Sequence, residues 1–503
     1  MSKKTIYILL AVCSIIYVCC LSTTSPMYLN VCSHTDTCVF QAMGWNWLHG
    51  AVPYRDLFDH KGPLIFAINA LGFLLTGNKY GITIIEICFM FVGVLFCWKL
   101  LRTELNDKKS LAATALIYII NITSYFNGNT TEEYCTPFIM ASYYYAYTWL
   151  KRYDAYGATD VNVRTPLILG LTLGCCAATR ITNALPVCII SIVVAIILVK
   201  EKDWHSLLKA TGLFAAGAIV IEAPFIFYFY INGALEEFWF CNWTFNTSYT
   251  GTPVYSQYYE LKSYIITYAP VWMLTAVAAL ALIFGRRQHK NAAAITFLLS
   301  SLVTAVFFHI GNRYIWYAQL LTPCLPVLAC IMVSYSKQIY KTVFRTTTLI
   351  IAVWEVFAVW QSAQCAFGTA LQNRIFFPDM QLEKNFPIYT QYKEIVKHIP
   401  QIEKANKVLV DCPSYMYLYP KPIKPACRFF VLQDFQAQYN AKFREMRDKA
   451  FNACTARYIV YKNPSNDKSI NFRAVAPNQL LNVIQRHYTL VYKTEDLNVY
   501  EKK

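Results

Sequence analysis

Residues 32–63 read CSHTDTCVFQAMGWNWLHGAVPYRDLFDHKGP. An apolar run at 5–22 precedes this stretch and another at 80–101 follows it, each about long enough to cross a bilayer. Between them stand Asp36, Arg55, Asp56, Asp59, His60 and Lys61, with Trp45, Trp47 and Tyr54 interspersed. Charges beside the hydrocarbon layer are costly and gather where a membrane protein does its work. The reading of this stretch decides both the count of spans and the place of any chemistry.

Working outward, further apolar runs lie at 110–126, 134–150, 165–180, 184–199, 208–231, 263–284, 292–310, 314–335 and 346–367, which makes eleven with the first two. The basic segments are Lys3–Lys4, 102–109, 151–164, 200–209, 285–290 and 336–345. With eleven spans and a cytoplasmic N-terminus, all of them fall inside, as the positive-inside rule requires. The apolar run 63–77 (PLIFAINALGFLLTG) would break this pattern if it spanned. It is also short, so we read it as an interfacial or re-entrant helix on the outer side. The chain is 56% hydrophobic and only 15% charged, where soluble domains carry about 25% charge. A net charge of +16 is what basic cytoplasmic loops produce in such a protein, and it does not call for nucleic acid. The opening MSKK and its apolar run show no small-residue cleavage site, so they read as an uncleaved first helix. Most of the eighteen cysteines sit in apolar runs as small hydrophobes. No Cys or His spacing suggests zinc. Cys32 and Cys38 flank Asp36 in an outer loop, where a disulfide remains open.

Beyond about 367 the pattern changes to short strand-like runs at 407–411, 428–432, 456–461, 489–493 and 497–502, with helical stretches at 434–451 and 477–488. The expected organisation is an α-helical multi-span domain over 1–367, with a first outer loop at 23–79, and a small extracytoplasmic α/β domain over 368–503.

Each polar residue near the outer face has a functional and a bland reading. Asp36 could take a proton from a hydroxyl, or cap the helix that follows it. Lys61, before Gly62–Pro63, could neutralise a phosphate as a point charge, or snorkel to the interface. Glu132 and Glu133 could orient an acceptor or a metal, but adjacent acids are usually solvated, and two carboxylates are weak metal evidence. Arg180 and Arg313 fit a second phosphate-binding cluster. Glu222, inside a run, needs a partner, for which Arg180 is the candidate. His34, His60 and His309 lie near the same face without metal spacing.

An acid just past the first span, then aromatics, then PYRDLFDHKGPL, resembles the integral-membrane glycosyltransferases of the GT-C fold. Within them it is most similar to the bacterial branch related to protein O-mannosyltransferases and the lipid A aminoarabinose transferase. NTTEEY, GALEEFWFCNWTFNTSY and RYIWYAQLLTPCLPVLA agree more loosely. The resemblance implies an inner-membrane, multi-pass enzyme with an outward C-terminal domain. Its donor would be a polyprenyl-phosphate-linked sugar. Transfer would be inverting, to a hydroxyl of a glycan, lipid or protein acceptor on the outer face. Asp36 corresponds to the base and Lys61 to the lysine near the donor phosphate; Arg313 corresponds by position only, and Arg180 would assist it. Arg55, Asp59, His60, Glu132 and Glu133 are left to orient an acceptor or a metal. The family often shows two adjacent acids in the first loop, whereas Thr37 follows Asp36 here, so a divalent metal stays open. The alternatives are a flippase for a lipid-linked sugar, which would place its charges near the midplane in two related halves, and a non-catalytic receptor.

Overall fold

The computed structural model describes residues 1–26, 35–125, 127–249, 261–284, 290–310, 315–335, 387–410, 414–418, 422–431, 440–462 and 479–503, with single residues at 346, 353 and 412. The chain divides into two compact units. The first comprises Met1–Ser25, Thr83–Phe225 and Pro253–Thr369, and the second Pro26–Ile82, Ile226–Thr252 and Ala370–Lys503. The boundary expected at 367 lies outside the described residues.

Helices stand over the apolar runs up to 335, where the run at 314–335 divides into a 3-10 stretch (Ile315–Leu321) and an α-helix. They are α1 (Lys3–Leu21), α2 (Thr35–Leu48), α3 (Pro63–Thr76), α4 (Tyr80–Leu101), α5 (Asp107–Asn121), α6 (Thr131–Tyr156), α7 (Arg164–Ala177), α8 (Leu185–Lys200) and α9 (Trp204–Ile231). After two short helices, α10 (Leu235–Trp239) and α11 (Phe245–Tyr249), come α12 (Leu261–Phe284), α13 (Ala292–Ile310) and α14 (Cys324–Tyr335). Among the described residues, five helical stretches are long and apolar enough to cross a membrane: Lys3–Leu21, Tyr80–Leu101, Ile181–Lys200, Trp204–Ile231 and Trp316–Tyr335. They mark the chain as a membrane protein. The run 346–367 lies outside the described residues, save for single residues.

Within the first unit, the basic loops meet at one end. Lys151 pairs with Glu104 at 3.1 Å and Lys290 with Glu201 at 2.9 Å. Thr159 donates to Asp203 at 2.7 Å, and the Ala292 and Ala293 N–H groups donate to Asp154 at 2.7 and 2.9 Å. The start of α1 joins that end, with Tyr7 edge-on to Trp98 at 6.0 Å. The opposite end is where the chain leaves and re-enters this unit. Thr24 and Thr83 hydroxyls lie 3.0 Å apart, so residues 26–82 depart and return at one place. The intervening α3 is shorter than a span needs. Its 14 residues rise about 21 Å, short of a hydrocarbon core of about 30 Å. Pro63 opens it, and Gly77, left-handed at φ 72°, closes it.

The second unit holds α2 and α3 packed so closely that a Cβ on Gly44 would sit 2.6 Å from the Ala70 backbone nitrogen. Its other elements are α15 (Pro387–His398), α16 (Ala441–Asn452), α17 (Gln479–His487) and a four-stranded sheet: β1 (Lys407–Val410), β2 (Tyr458–Lys462), β3 (Tyr488–Lys493) and β4 (Leu497–Lys502). The order is β1-β2-β4-β3, with β1 parallel to β2 and the other pairs antiparallel. This is the expected small α/β arrangement, with one correction. The run at 428–432 forms no strand over its described residues. Its backbone serves the first loop instead: Arg428 C=O accepts from Phe58 N–H at 2.8 Å. Around that bond, Phe58 packs on Phe443, Phe429 and Phe245 with ring centroids 4.7, 5.2 and 5.4 Å away. Such pairs contribute about 1 kcal/mol each beyond area burial, so this aromatic core fixes the loop that follows Phe58.

Candidate active site

The loop from Val52 to Pro63 is built around Tyr54, a fully buried residue at φ 67°. A side chain in the left-handed region is strained and persists only where its surroundings over-determine it. Here Tyr54 N–H donates to Leu57 C=O at 2.8 Å, and its ring packs on Phe229, Phe238 and Phe66. Its hydroxyl then donates to Lys61 C=O at 2.7 Å. Arg55 and Asp56 form a fork, with Nε and Nη2 donating to the carboxylate at 2.9 and 3.0 Å. The same carboxylate accepts from Val52 N–H at 2.7 Å, and Arg55 Nη1 donates to Asn232 C=O at 2.9 Å. Burial pushes the Asp56 carboxyl up, but the guanidinium and the Val52 N–H more than undo this and hold it below its ordinary range. Arg55 is thus engaged in shaping the loop.

Asp59, only 4% exposed, accepts from the Lys61 N–H at 2.8 Å. Burial pushes its carboxyl up to about 6; Lys61 pulls the other way, and the Asp36 carboxylate adds to the rise. The sequence-predicted residues Asp36, Asp59, His60 and Lys61 therefore share one neighbourhood within the second unit. Asp36 sits half-buried in the first turn of α2, inside the helix and not at its cap. A negative charge is favoured there by the helix dipole. Lys61 is half-buried too, and its Nζ lies 3.0 Å from His60 Nε2. Among the described residues its ammonium makes no ion pair.

The first unit holds a second group of acids. Glu132 and Glu133, expected to be solvated, are 2% and 4% exposed. Thr130 caps α6, accepting from Glu133 N–H at 3.2 Å, so TTEE carries the T-x-x-E signature of a helix start. Glu133 and Glu86 both accept from the Asn129 N–H, at 2.6 and 2.7 Å. Tyr125 donates to Glu133 at 2.6 Å, Ser22 to Glu86 at 2.9 Å, and Thr24 also bonds Glu86. The two carboxylates thus share one backbone donor. The turn that aims Asn129 has three consecutive positive φ angles, at Asn127, Gly128 and Asn129. Asn and Gly are the residues that tolerate this, and a Cβ on Gly128 would lie 2.6 Å from Glu86 Oε1. Sequence reasoning missed Glu86 because it stands inside an apolar run. The signal was the one applied to Glu222, a lone acid within a span.

Arg180 pairs with Glu132 at 3.0 Å, and its guanidinium lies 4.1 Å from the Tyr317 ring centre. This corrects the expected Glu222–Arg180 pair: Arg180 is held at the start of α6, while Glu222 Oε1 is buried without a hydrogen-bond partner among the described residues. Arg313, His34 and Cys32 lie outside the described residues, as does the side chain of His309. Among the described residues, no three His, Cys, Asp or Glu side chains gather as a metal ion would need.

Over 99% of its length the chain superposes on 97% of ArnT from Cupriavidus metallidurans, in a structure bound to undecaprenyl phosphate, at a TM-score of 0.54 and 12% identity. It also matches the Archaeoglobus fulgidus oligosaccharyltransferase tethered to an acceptor peptide, at TM-score 0.51 and 13% identity over 100% of this chain and 74% of that one. The mycobacterial arabinofuranosyltransferase AftD matches at 0.50 and 12%, over 100% of this chain and 40% of that one. The chain has the GT-C fold. By sequence, residues 1–228 match the family described as the putative competence-induced protein Ccs4 N-terminal domain. No curated protein matches the chain by sequence.

Proposed function

We propose that this GT-C protein is a glycosyltransferase that moves a sugar from a polyprenyl-phosphate donor to an acceptor hydroxyl, with Asp36 as base and Lys61 at the donor phosphate. The observation that carries the reading is the first loop itself. It presents a half-buried lysine that makes no ion pair among the described residues, and a half-buried carboxylate, in one neighbourhood on a backbone held by buried aromatics. In the reaction the acceptor oxygen attacks the anomeric carbon from the face opposite the phosphate. The bond from that carbon to the phosphate oxygen breaks, and its electron pair leaves on the phosphate. The acceptor proton passes to Asp36. Lys61 stabilises the charge that grows on the departing phosphate. The ArnT structure of the same fold carries undecaprenyl phosphate, which supports a lipid phosphate as the carrier here. Arg180, committed to Glu132, is left out of the phosphate cluster. The positive-inside rule places the N-terminus in the cytoplasm and the second unit's C-terminal residues outside.

The test is sugar transfer by the full chain in detergent or vesicles, from undecaprenyl-phosphate-linked sugars to lipid, glycan or peptide acceptors. Lys61→Ala is expected to raise the donor KM about tenfold, the cost of one charge-assisted phosphate contact. Normal donor use by a folded Lys61→Ala protein would remove Lys61 from the site and favour the flippase reading, which lipid-linked sugar translocation assays would then examine.

A further inference from the structure

Lys61 is held by its backbone at both ends: Asp59 Oδ1 accepts from its N–H at 2.8 Å, and Tyr54 donates to its C=O at 2.7 Å. Its four-carbon side chain is what remains to be placed. The Nζ lies 3.0 Å from His60 Nε2. An ammonium has donors only, so Nε2 accepts and the imidazole proton sits on Nδ1. His60 is itself fixed. Its C=O accepts from Asn246 Nδ2 at 2.8 Å, and its ring lies 5.7 Å from that of Phe245.

We propose that His60 is a positioning residue for Lys61: it aims the ammonium at the donor phosphate without cancelling its charge. This rests on the reading of Lys61 as the phosphate ligand. A neutral imidazole takes one ammonium proton and leaves two for phosphate oxygens. A carboxylate in the same place would hold the amine equally well, but it would oppose the approach of a second anion. The nearest carboxylate in sequence, Asp59, is turned to the Lys61 backbone N–H instead.

The experiment measures undecaprenyl phosphate binding and donor kinetics of the full-length protein in detergent. The variants are His60→Gln, His60→Glu and His60→Leu, with Lys61→Ala as reference. His60→Gln keeps a neutral acceptor and should bind within about threefold of the parent. His60→Leu should bind about tenfold more weakly, and kcat should fall too, because Lys61 also acts on the departing phosphate. His60→Glu should bind at least as weakly as His60→Leu, because it neutralises the cation. A residue that only packed would make Gln and Glu, nearly equal in size, behave alike. That result, or parent-like binding by a folded His60→Leu, overturns the proposal. Melting curves verify each fold, and the Gln–Glu pair decides the matter if the Leu variant does not fold. Should Lys61→Ala bind undecaprenyl phosphate as the parent does, the phosphate reading itself is lost and this proposal with it. A loss in Lys61→Ala with none in His60→Leu or His60→Glu removes His60 alone.

Discussion

Asp36 and Glu133 occupy the same local position, the first turn of a helix, and both stand near the outer ends of predicted spans. Their surroundings separate them. Glu133 is 4% exposed, and its oxygens are taken by the Tyr125 hydroxyl and the Asn129 N–H. Asp36 is half-buried in the first-loop neighbourhood of Asp59 and Lys61. A carboxylate whose lone pairs are filled by its own fold holds segments together. One that keeps a path to solvent can accept a proton from something that arrives. Glu133 is held as architecture, Asp36 is the proposed base, and each reading can be broken.

The largest expected effect belongs to Asp36→Asn. Transfer should fall by about 10^4-fold, the upper range for a lost general base, with melting unchanged because volume and helix position are kept. Near-normal turnover would move the base elsewhere, with Glu132 and Glu133 next to be tried. Glu133→Ala should instead destabilise the fold by about 2 kcal/mol, since it strands the Tyr125 hydroxyl in a buried place while the Asn129 N–H keeps Glu86. Glu133→Gln, which keeps an acceptor, should cost under about 1 kcal/mol. A Glu133→Ala protein that melts like the parent yet fails to transfer sugar would reverse the comparison.

Asp59 lies between these extremes, since it is buried like Glu133 but belongs to the first loop. Its unfolded carboxyl titrates near an ordinary value of about 3.9, and burial raises it to about 6 in the fold. Below about pH 4 both states are protonated and Asp59 costs nothing. As the pH climbs to 6 the folded state resists ionisation, and about 3 kcal/mol of stability is lost and stays lost above that. Asp59→Asn, whose amide oxygen can still accept from Lys61 N–H, should flatten melting temperature against pH between 4 and 6 and raise it at pH 8. An unchanged profile would mean that Asp59 is not the group that titrates. Arg55→Ala should do least. Both side chains of the Arg55–Asp56 pair keep more than a third of their surface in solvent, so stability should change by under about 1 kcal/mol and turnover by less than about twofold. A large loss of turnover would return Arg55 to the acceptor site.

The first-loop residues stand out in the sequence because their clues are local. Asp36 and Lys61 are charges beside apolar runs, and Gly62–Pro63 announces the start of α3. Asp59 and His60 were visible as residue types, but which atoms they offer depends on Tyr54, Asn246 and Phe245, which lie up to 186 positions away in the chain. Glu86 was missed because the apolar periodicity of α4 outweighs one acid. Its partners are a hydroxyl 64 positions earlier and a backbone N–H 43 positions later.

What the sequence determined by itself is what short-range physics controls. Run length and polarity place the helices, the Lys and Arg pattern groups the loops, and Pro63, Gly77, the NGN turn and T-x-x-E set where helices begin and end. Tertiary structure alone decided which acids are buried, that Arg180 belongs to Glu132, and that the Arg428 C=O goes to the first loop. Those outcomes follow from desolvation and hydrogen-bond satisfaction. Both are settled only when distant segments meet and each buried polar group finds its partner.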